Sequence, residues 1–254
     1  MTPFIADLLA DRRVFVTGAS SGLGRAAAIG LSRLGARVAI CGRDEGRLAE
    51  TLAQLDGEGH LSVPAAITDT DGTAELVKDV AKRFGTLHGV FHAAGISLTM
   101  PVRMTKQSAV EDTFGPSVYG AFGIARAAGQ KNVMAERSSI VLMSSISAER
   151  GHNGMMIYSA AKSAVHGLVR SAAVELAPKG VRVNALIAGS VYTEMYAREV
   201  ERMGPDWIAG VGAKHPLGFG ETDDITNAVA YLVSDAGKWI TGTTWTLDGG
   251  YTAQ

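Results

Sequence analysis

The chain has 254 residues, 46% of them hydrophobic and 19% charged, the balance of a packed globular protein rather than a disordered or fibrous one. Its 24 basic and 25 acidic side chains leave a formal charge of -1 with no run of Lys or Arg, so nucleic acid and anionic membrane surfaces are not expected partners. The single cysteine, Cys41 in the apolar run VAIC, excludes an internal disulfide; MTPFIADLLADRR lacks a basic leader and no apolar run nears the roughly 18 residues that span a bilayer, so a cytoplasmic location is expected.

Arg12 to Thr17 is a β-branched and aromatic run that stops at Gly18, and from Leu23 the apolar spacing turns helical. Between them lies TGASSGLG. Gly18, Gly22 and Gly24 allow a tight bend and close backbone approach, Ser20 and Ser21 add hydroxyls, and the helix opening at Leu23 offers N–H groups and a dipole end suited to a pyrophosphate. A plain strand-turn-helix with packing glycines has the same pattern, so this stretch alone leaves both readings open. Arg37 to Cys41 reads as a second strand, followed by Gly42, Arg43 and the polar helix DEGRLAETLAQL. In a dinucleotide fold an acidic residue at that strand end bonds a ribose 2′-hydroxyl, whereas a basic one pairs with a 2′-phosphate. Arg43 therefore favours NADP over NAD, and Asp44 beside it is the counter-argument.

A third strand is expected over His60 to Ala65, a helix over Thr70 to Phe84, and a fourth strand over Leu87 to His92. That strand runs into Ala93, Ala94 and Gly95, small residues against which a flat ligand can lie. Pro116 should kink or interrupt a helix from Lys106 to Lys131. Ser139 to Met143 is a fifth strand, with Ser144 and Ser145 at the end where open parallel sheets bind ligands. The next helix, MMIYSAAKSAVHGLVRSAAVELA, carries Tyr158 and Lys162 on one face. An ammonium near a phenol favours the phenolate and lowers the phenol pKa.

Val181 to Ile187 is a sixth strand leading into AGSVYTEM and an irregular stretch from Tyr192 to Gly220 with Met195, Tyr196, Met203, Trp207 and Pro216. It reads either as a lid over an apolar pocket or as a surface excursion. A helix, DDITNAVAYLVSD, a strand over Thr243 to Leu247 and the turn Asp248, Gly249, Gly250 close the chain. The whole pattern predicts one α/β domain over residues 1–254. Its core is a Rossmann-like, doubly wound, seven-stranded parallel sheet with helices on both faces, and a substrate lid covers it at about 192–220. No histidine has a metal-ligand spacing such as HExxH, so no metal is expected.

Taken together, these segments resemble the short-chain dehydrogenase/reductase family over nearly the whole chain. TGASSGLG fits its TGxxxGxG turn, HAAG from His92 to Gly95 resembles its NAAG, and Ser145 lies 13 residues before Tyr158 as the family's serine does. AGSVYT from Ala188 to Thr193 is similar to its PGxxxT loop, and TGTTWTLDGG fits its TGxxxxxDGG. The resemblance implies a nicotinamide cofactor across the strand ends, held by Gly18, Ser20, Ser21, Gly22, Leu23, Gly24, Arg43, Ala93, Ala94 and Gly95. Ile67 would meet the adenine through its backbone, and Val191 and Thr193 the carboxamide and phosphates. Tyr158 would be the general acid in reduction, Lys162 would bond the nicotinamide ribose and tune Tyr158, and Ser145 would hold the substrate oxygen.

The chain departs from the family at His92 and Ser117, where Asn is usual, at Ala188, where Pro is usual, and at Ala66, where Asp is common. Ser117 would take the place of the Asn that holds a relay water behind the lysine. His92 reads either as a relay substitute or as a histidine satisfied by its neighbours. His152, Asn153, Met155 and Met156 fall in a segment that lines the substrate pocket in relatives. The implied activity is NADPH-dependent reduction of a ketone or oxidation of the matching secondary alcohol, with a 3-oxoacyl thioester as the first expectation. A sugar, polyol or cyclic ketone is the alternative, and a catalytically weak cofactor-binding sensor is the reading from another class. A homo-oligomer, tetramer or dimer, is implied through the YxxxK helix and the C-terminal strand.

Overall fold

A computed structural model describes residues 3–194, 196, 197, 201, 204 and 210–254. The chain alternates strand and helix from its start: β1 Arg13–Thr17, α1 Gly22–Arg33, β2 Arg37–Gly42, α2 Glu45–Leu52, β3 Leu61–Pro64, α3 Thr70–Phe84 and β4 Leu87–His92. Helix α4 spans Gln107–Phe114 and α5 spans Gly120–Ala128; β5 is Met134–Ser145, α6 Met156–Leu176, β6 Val181–Ala188, α7 Thr222–Val233 and β7 Thr244–Leu247. The seven strands form one sheet in the order β3-β2-β1-β4-β5-β6-β7, every pair parallel. The order reverses between β1 and β4, the switch point where such sheets open a crevice for ligands.

Alternation along the strands divides the core into two layers. Phe15, Cys41, Val90, Ile140 and Leu142 point to the face covered by α3, α5 and α6. Val14, Val16, Ile40, Phe91, Val141 and Leu186 point to the face covered by α1, α2 and α7. Because both faces are covered, the central strands read as unbroken apolar runs rather than alternating ones. Asp44 and Asp69 start α2 and α3 by accepting the backbone N–H groups of Arg47 and Gly72. Among the described residues, no helix is long and apolar enough to cross a membrane.

One element differs from expectation and one follows it. Strand β5 begins at Met134 rather than Ser139, because Leu87 of β4 pairs with Met134 and draws the polar AERS stretch into the sheet. Pro116 interrupts the long helix as a wide turn, Gly115–Tyr119, whose closing bond runs from the N–H of Gly120 to the carbonyl of Gly115. A proline ring cannot sit on a regular turn without striking the preceding carbonyl, and a widened turn accommodates it. Of the expected lid, Met195, Met203 and Trp207 lie outside the described residues.

Candidate active site

The glycine turn joins β1 to α1 and lies against the loop after β4. Gly18 adopts φ +69°, and a Cβ there would sit 2.7 Å from the amide nitrogen of Ala94; one on Gly24 would sit 2.3 Å from the carbonyl oxygen of Gly18. Side chains are therefore excluded and backbone groups line the cradle. Ser21, at the start of α1, makes no side-chain cap bond, leaving the first N–H groups of the helix to another acceptor. Glu194 supplies one: its Oε2 accepts the N–H of Gly22 at 2.8 Å. A carboxylate seated on this turn shows that it takes an anion, which is the property a cofactor pyrophosphate needs. Thr193 faces the same turn, its Cβ 3.8 Å from where a Gly22 Cβ would stand.

At the end of β2, Arg43 is exposed, and no carboxylate pairs with it among the described residues. Asp44 is engaged elsewhere, as the cap of α2 and in an ion pair with Arg47 at 3.8 Å. The competing acidic group is thus directed at its own helix. Ser20 lies beside this strand end, its Oγ 3.1 Å from where a Gly42 Cβ would be. Ile67 is 7% exposed and packs against Gly120 of α5, so its side chain belongs to the core.

Three of the expected site side chains meet where β5 delivers Ser145 and α6 turns Tyr158 and Lys162 toward it. Two contacts fix α6 on β5 at this height: Ser144 Oγ lies 2.8 Å from His166 Nε2, and Ser163 Oγ donates to the carbonyl of Ala148. Burial pushes the Tyr158 phenol above its ordinary value, and a side-chain hydrogen bond with Ser145 offsets part of that rise. This differs from the expected downward pull by Lys162. The Lys162 ammonium lies 5.7 Å from the Tyr158 ring centroid and donates to the carbonyl of Met143 at 3.0 Å. It is 4% exposed, and burial brings its own pKa down to about 8.

Behind Lys162 stand the two unusual residues. Ser117 occupies the wide turn, 1% exposed, and its Oγ has no hydrogen-bond partner. A methyl group on Gly95 would lie 3.1 Å from Ser117 Oγ and 3.3 Å from Lys162 Nζ, so the two polar atoms face each other across a methyl-sized space. His92 sits at the switch point, paired in register with Thr17, and its Nδ1 lies 2.8 Å from Thr17 Oγ1. Its Nε2 faces the carbonyls of Pro116 and Ser117 without reaching full hydrogen-bond geometry. Burial, and then the charge of Lys162, bring the imidazole pKa down to about 4, so His92 is neutral at neutral pH. The imidazole fits because position 120 is glycine: a Cβ there would stand 3.0 Å from His92 Cε1.

The structure also brings together residues that lie far apart in the sequence. Ser145, Ala188 and Leu247 are in register across β5, β6 and β7, so the loops after these strands leave from one edge. Tyr251 follows β7, and its hydroxyl lies 3.0 Å from His152 Nε2. His215, 4% exposed, stacks on Tyr251 at 4.8 Å between centroids and accepts the N–H of Ser190. Phe219, Tyr196 and Tyr192 extend this aromatic belt. His215, Phe219 and Tyr251 carry no motif, so only their spacing in three dimensions reveals them.

A family model described as "Enoyl-(Acyl carrier protein) reductase" matches residues 18–252. The chain is 34% identical over 257 residues to an L-rhamnose 1-dehydrogenase (NAD(P)(+)) of Azotobacter vinelandii, covering 96% of this chain and 97% of that protein. It is 30% identical over 243 residues to the 3-oxoacyl-[acyl-carrier-protein] reductase FabG of Staphylococcus aureus, covering 94% and 97%. The fold is similar to that of a putative short-chain alcohol dehydrogenase from Sinorhizobium meliloti 1021, with a TM-score of 0.89 at 33% identity, covering 97% of this chain and 98% of that one. With the glycine turn, the Ser145, Tyr158 and Lys162 cluster and the switch-point crevice in place, the chain belongs to the short-chain dehydrogenase/reductase family, nicotinamide-dependent oxidoreductases of alcohols and ketones.

Proposed function

We propose that this protein interconverts a ketone and a secondary alcohol with NADP(H), using Tyr158 as the general acid in reduction. The observation that carries this reading is the convergence of Ser145, Tyr158 and Lys162 at the C-terminal edge of the sheet, with the buried Ser117 hydroxyl facing Lys162. The glycine turn, with Val191 and Thr193 opposite, would hold the cofactor, and the bound nicotinamide supplies or accepts the hydride. Tyr158 gives its proton to the substrate oxygen as the carbonyl carbon gains its new C–H bond and the π electron pair moves onto oxygen. Ser145 stabilises the charge developing there. A phenol held protonated by burial suits the donor's part. Lys162 would return a proton to Tyr158, and a water held between Ser117 and Lys162 would resupply the lysine. The segment 192–220 closes over the substrate as part of a single catalytic domain, and the protein works as a homo-oligomer.

NADP is favoured because Arg43 is exposed with no carboxylate partner among the described residues while Asp44 is committed to α2. Removing one charge-assisted phosphate contact, as in Arg43→Ala, should weaken NADPH binding roughly 10- to 100-fold and leave NADH nearly untouched. An equal loss for both nucleotides would contradict the contact. The decisive test of the chemistry is Tyr158→Phe, which should lower kcat about 100- to 10,000-fold while NADPH still binds. Turnover that survives that change would remove Tyr158 from the role.

A further inference from the structure

The chain from Ser145 to Tyr251 runs through polar contacts that the reaction scheme leaves unused. Ser145 Oγ accepts the N–H of Ser147 at 3.2 Å, Ser147 Oγ lies 3.4 Å from His152 Nδ1, and His152 Nε2 lies 3.0 Å from the Tyr251 hydroxyl. His152 and Tyr251 are both half-buried, so each keeps part of its surface accessible. Each is also held from behind. Asp248 accepts the N–H groups of Gly250 and Thr252 and the Thr252 hydroxyl, and Arg150 donates to the carbonyls of Thr252 and Gln254. The C-terminal turn is thereby bound to the loop that carries His152, and the ring of Tyr251 is braced on His215.

We infer that Tyr251 and His152 form a recognition point for a second hydroxyl group of the substrate, beside the reacting carbon, so that the substrate is a polyhydroxylated compound such as an aldose rather than an acyl thioester. This inference rests on the hydride-transfer reading above. A hydroxyl bonded to one imidazole nitrogen keeps capacity for another bond whichever way the proton lies: if Tyr251 donates to His152 its oxygen still accepts, and if it accepts its O–H still donates. A sugar hydroxyl serves either case, because it both donates and accepts. An acyl chain laid against the pair would take water from these groups and return no hydrogen bond. A site built to bond a hydroxyl discriminates strongly against a substrate that lacks it.

The test measures kcat and KM with NADP+ for L-rhamnose, xylitol and the single-hydroxyl control cyclohexanol, and with NADPH for an acetoacetyl thioester. Wild type, Tyr158→Phe, Tyr251→Phe, His152→Asn and the double variant of Tyr251 and His152 are compared, each with a thermal melt. Wild type should prefer a polyhydroxylated substrate to cyclohexanol. Tyr251→Phe, which keeps the ring on His215, should raise its KM about tenfold with kcat within about twofold, the signature of lost ground-state binding. His152→Asn should act in the same direction, and the double variant should lose no more than the larger single loss, because the two side chains act as one unit. A Tyr251→Phe KM within about twofold of wild type, or wild-type turnover confined to the thioester, overturns the inference while Tyr158-dependent hydride transfer stands. Absence of Tyr158-dependent turnover on every substrate overturns both readings.

Discussion

The two halves of the strand edge are built on opposite rules. Around β1, β2 and β4 the surface is backbone: Gly18 and Gly24 leave no room for a Cβ, and the loop carrying Ala94 presses against the turn. Around α6 and the wide turn packed behind it, it is side chain, with Lys162, Ser117 and the inward-pointing His92 of β4 buried at 4%, 1% and 2% exposure. The first half is sensitive to volume and indifferent to protonation. The second is sensitive to protonation, because burial disfavours the charged form of each titrating group.

The largest effect that would sharpen this contrast is on the backbone half. Gly24→Ala places a methyl 2.3 Å from the carbonyl oxygen of Gly18 and should destabilise the fold by about 3 kcal/mol, at the same cost at every pH from 5 to 10. Denaturant midpoints across that pH range measure it, and a strongly pH-dependent loss would break the contrast.

Lys162→Met probes the other half. Because the folded-state pKa falls from 10.5 to about 8, the unfolded chain holds the proton longer, and wild-type stability should rise as pH climbs from about 8 toward 10.5. Relative to the variant, that rise is on the order of 3 kcal/mol, read from unfolding curves at fixed ionic strength. A pH-independent difference would mean that Lys162 is solvated in the native state.

His92→Asn gives a smaller effect at the acid end. The imidazole falls from 6.5 to about 4 in the fold, so its contribution is complete above 6.5 and is lost as pH drops toward 4. By pH 5 wild type should have lost about 2 kcal/mol that the variant keeps. Parallel acid profiles for the two proteins would show that His92 takes up a proton without penalty. Smallest is Asp44→Ala, the loss of a helix cap on the nucleotide side, expected to cost about 1 kcal/mol without changing the pH profile near neutrality.

Legibility in the sequence follows the same division. The glycine turn was readable because a positive φ and a close backbone approach select for glycine at Gly18, whatever the surroundings. Tyr158 and Lys162 were readable as a pair because four residues on a helix set their faces. The ionisation of that pair was not, since the rise in the Tyr158 pKa comes from burial by distant segments and outweighs the neighbour's charge. His92 read as a histidine satisfied by its neighbours ahead of a relay substitute; its bond to Thr17, 75 positions away, and its fit over Gly120 supply the packing account.

The sequence by itself determined the order of strands and helices, the glycine turn and the placing of Tyr158 and Lys162 on one helix face, because period, glycine conformation and helical spacing are local properties. Only the tertiary structure decided that Glu194 sits on Gly22, that Ser117 faces Lys162 behind Gly95, and that Tyr251 meets His152 from 99 positions away. Those contacts depend on which loops leave the same sheet edge, and register across β5, β6 and β7 sets that. Burial follows from the same packing, which is why the positions of the reacting groups were legible early and their protonation was not.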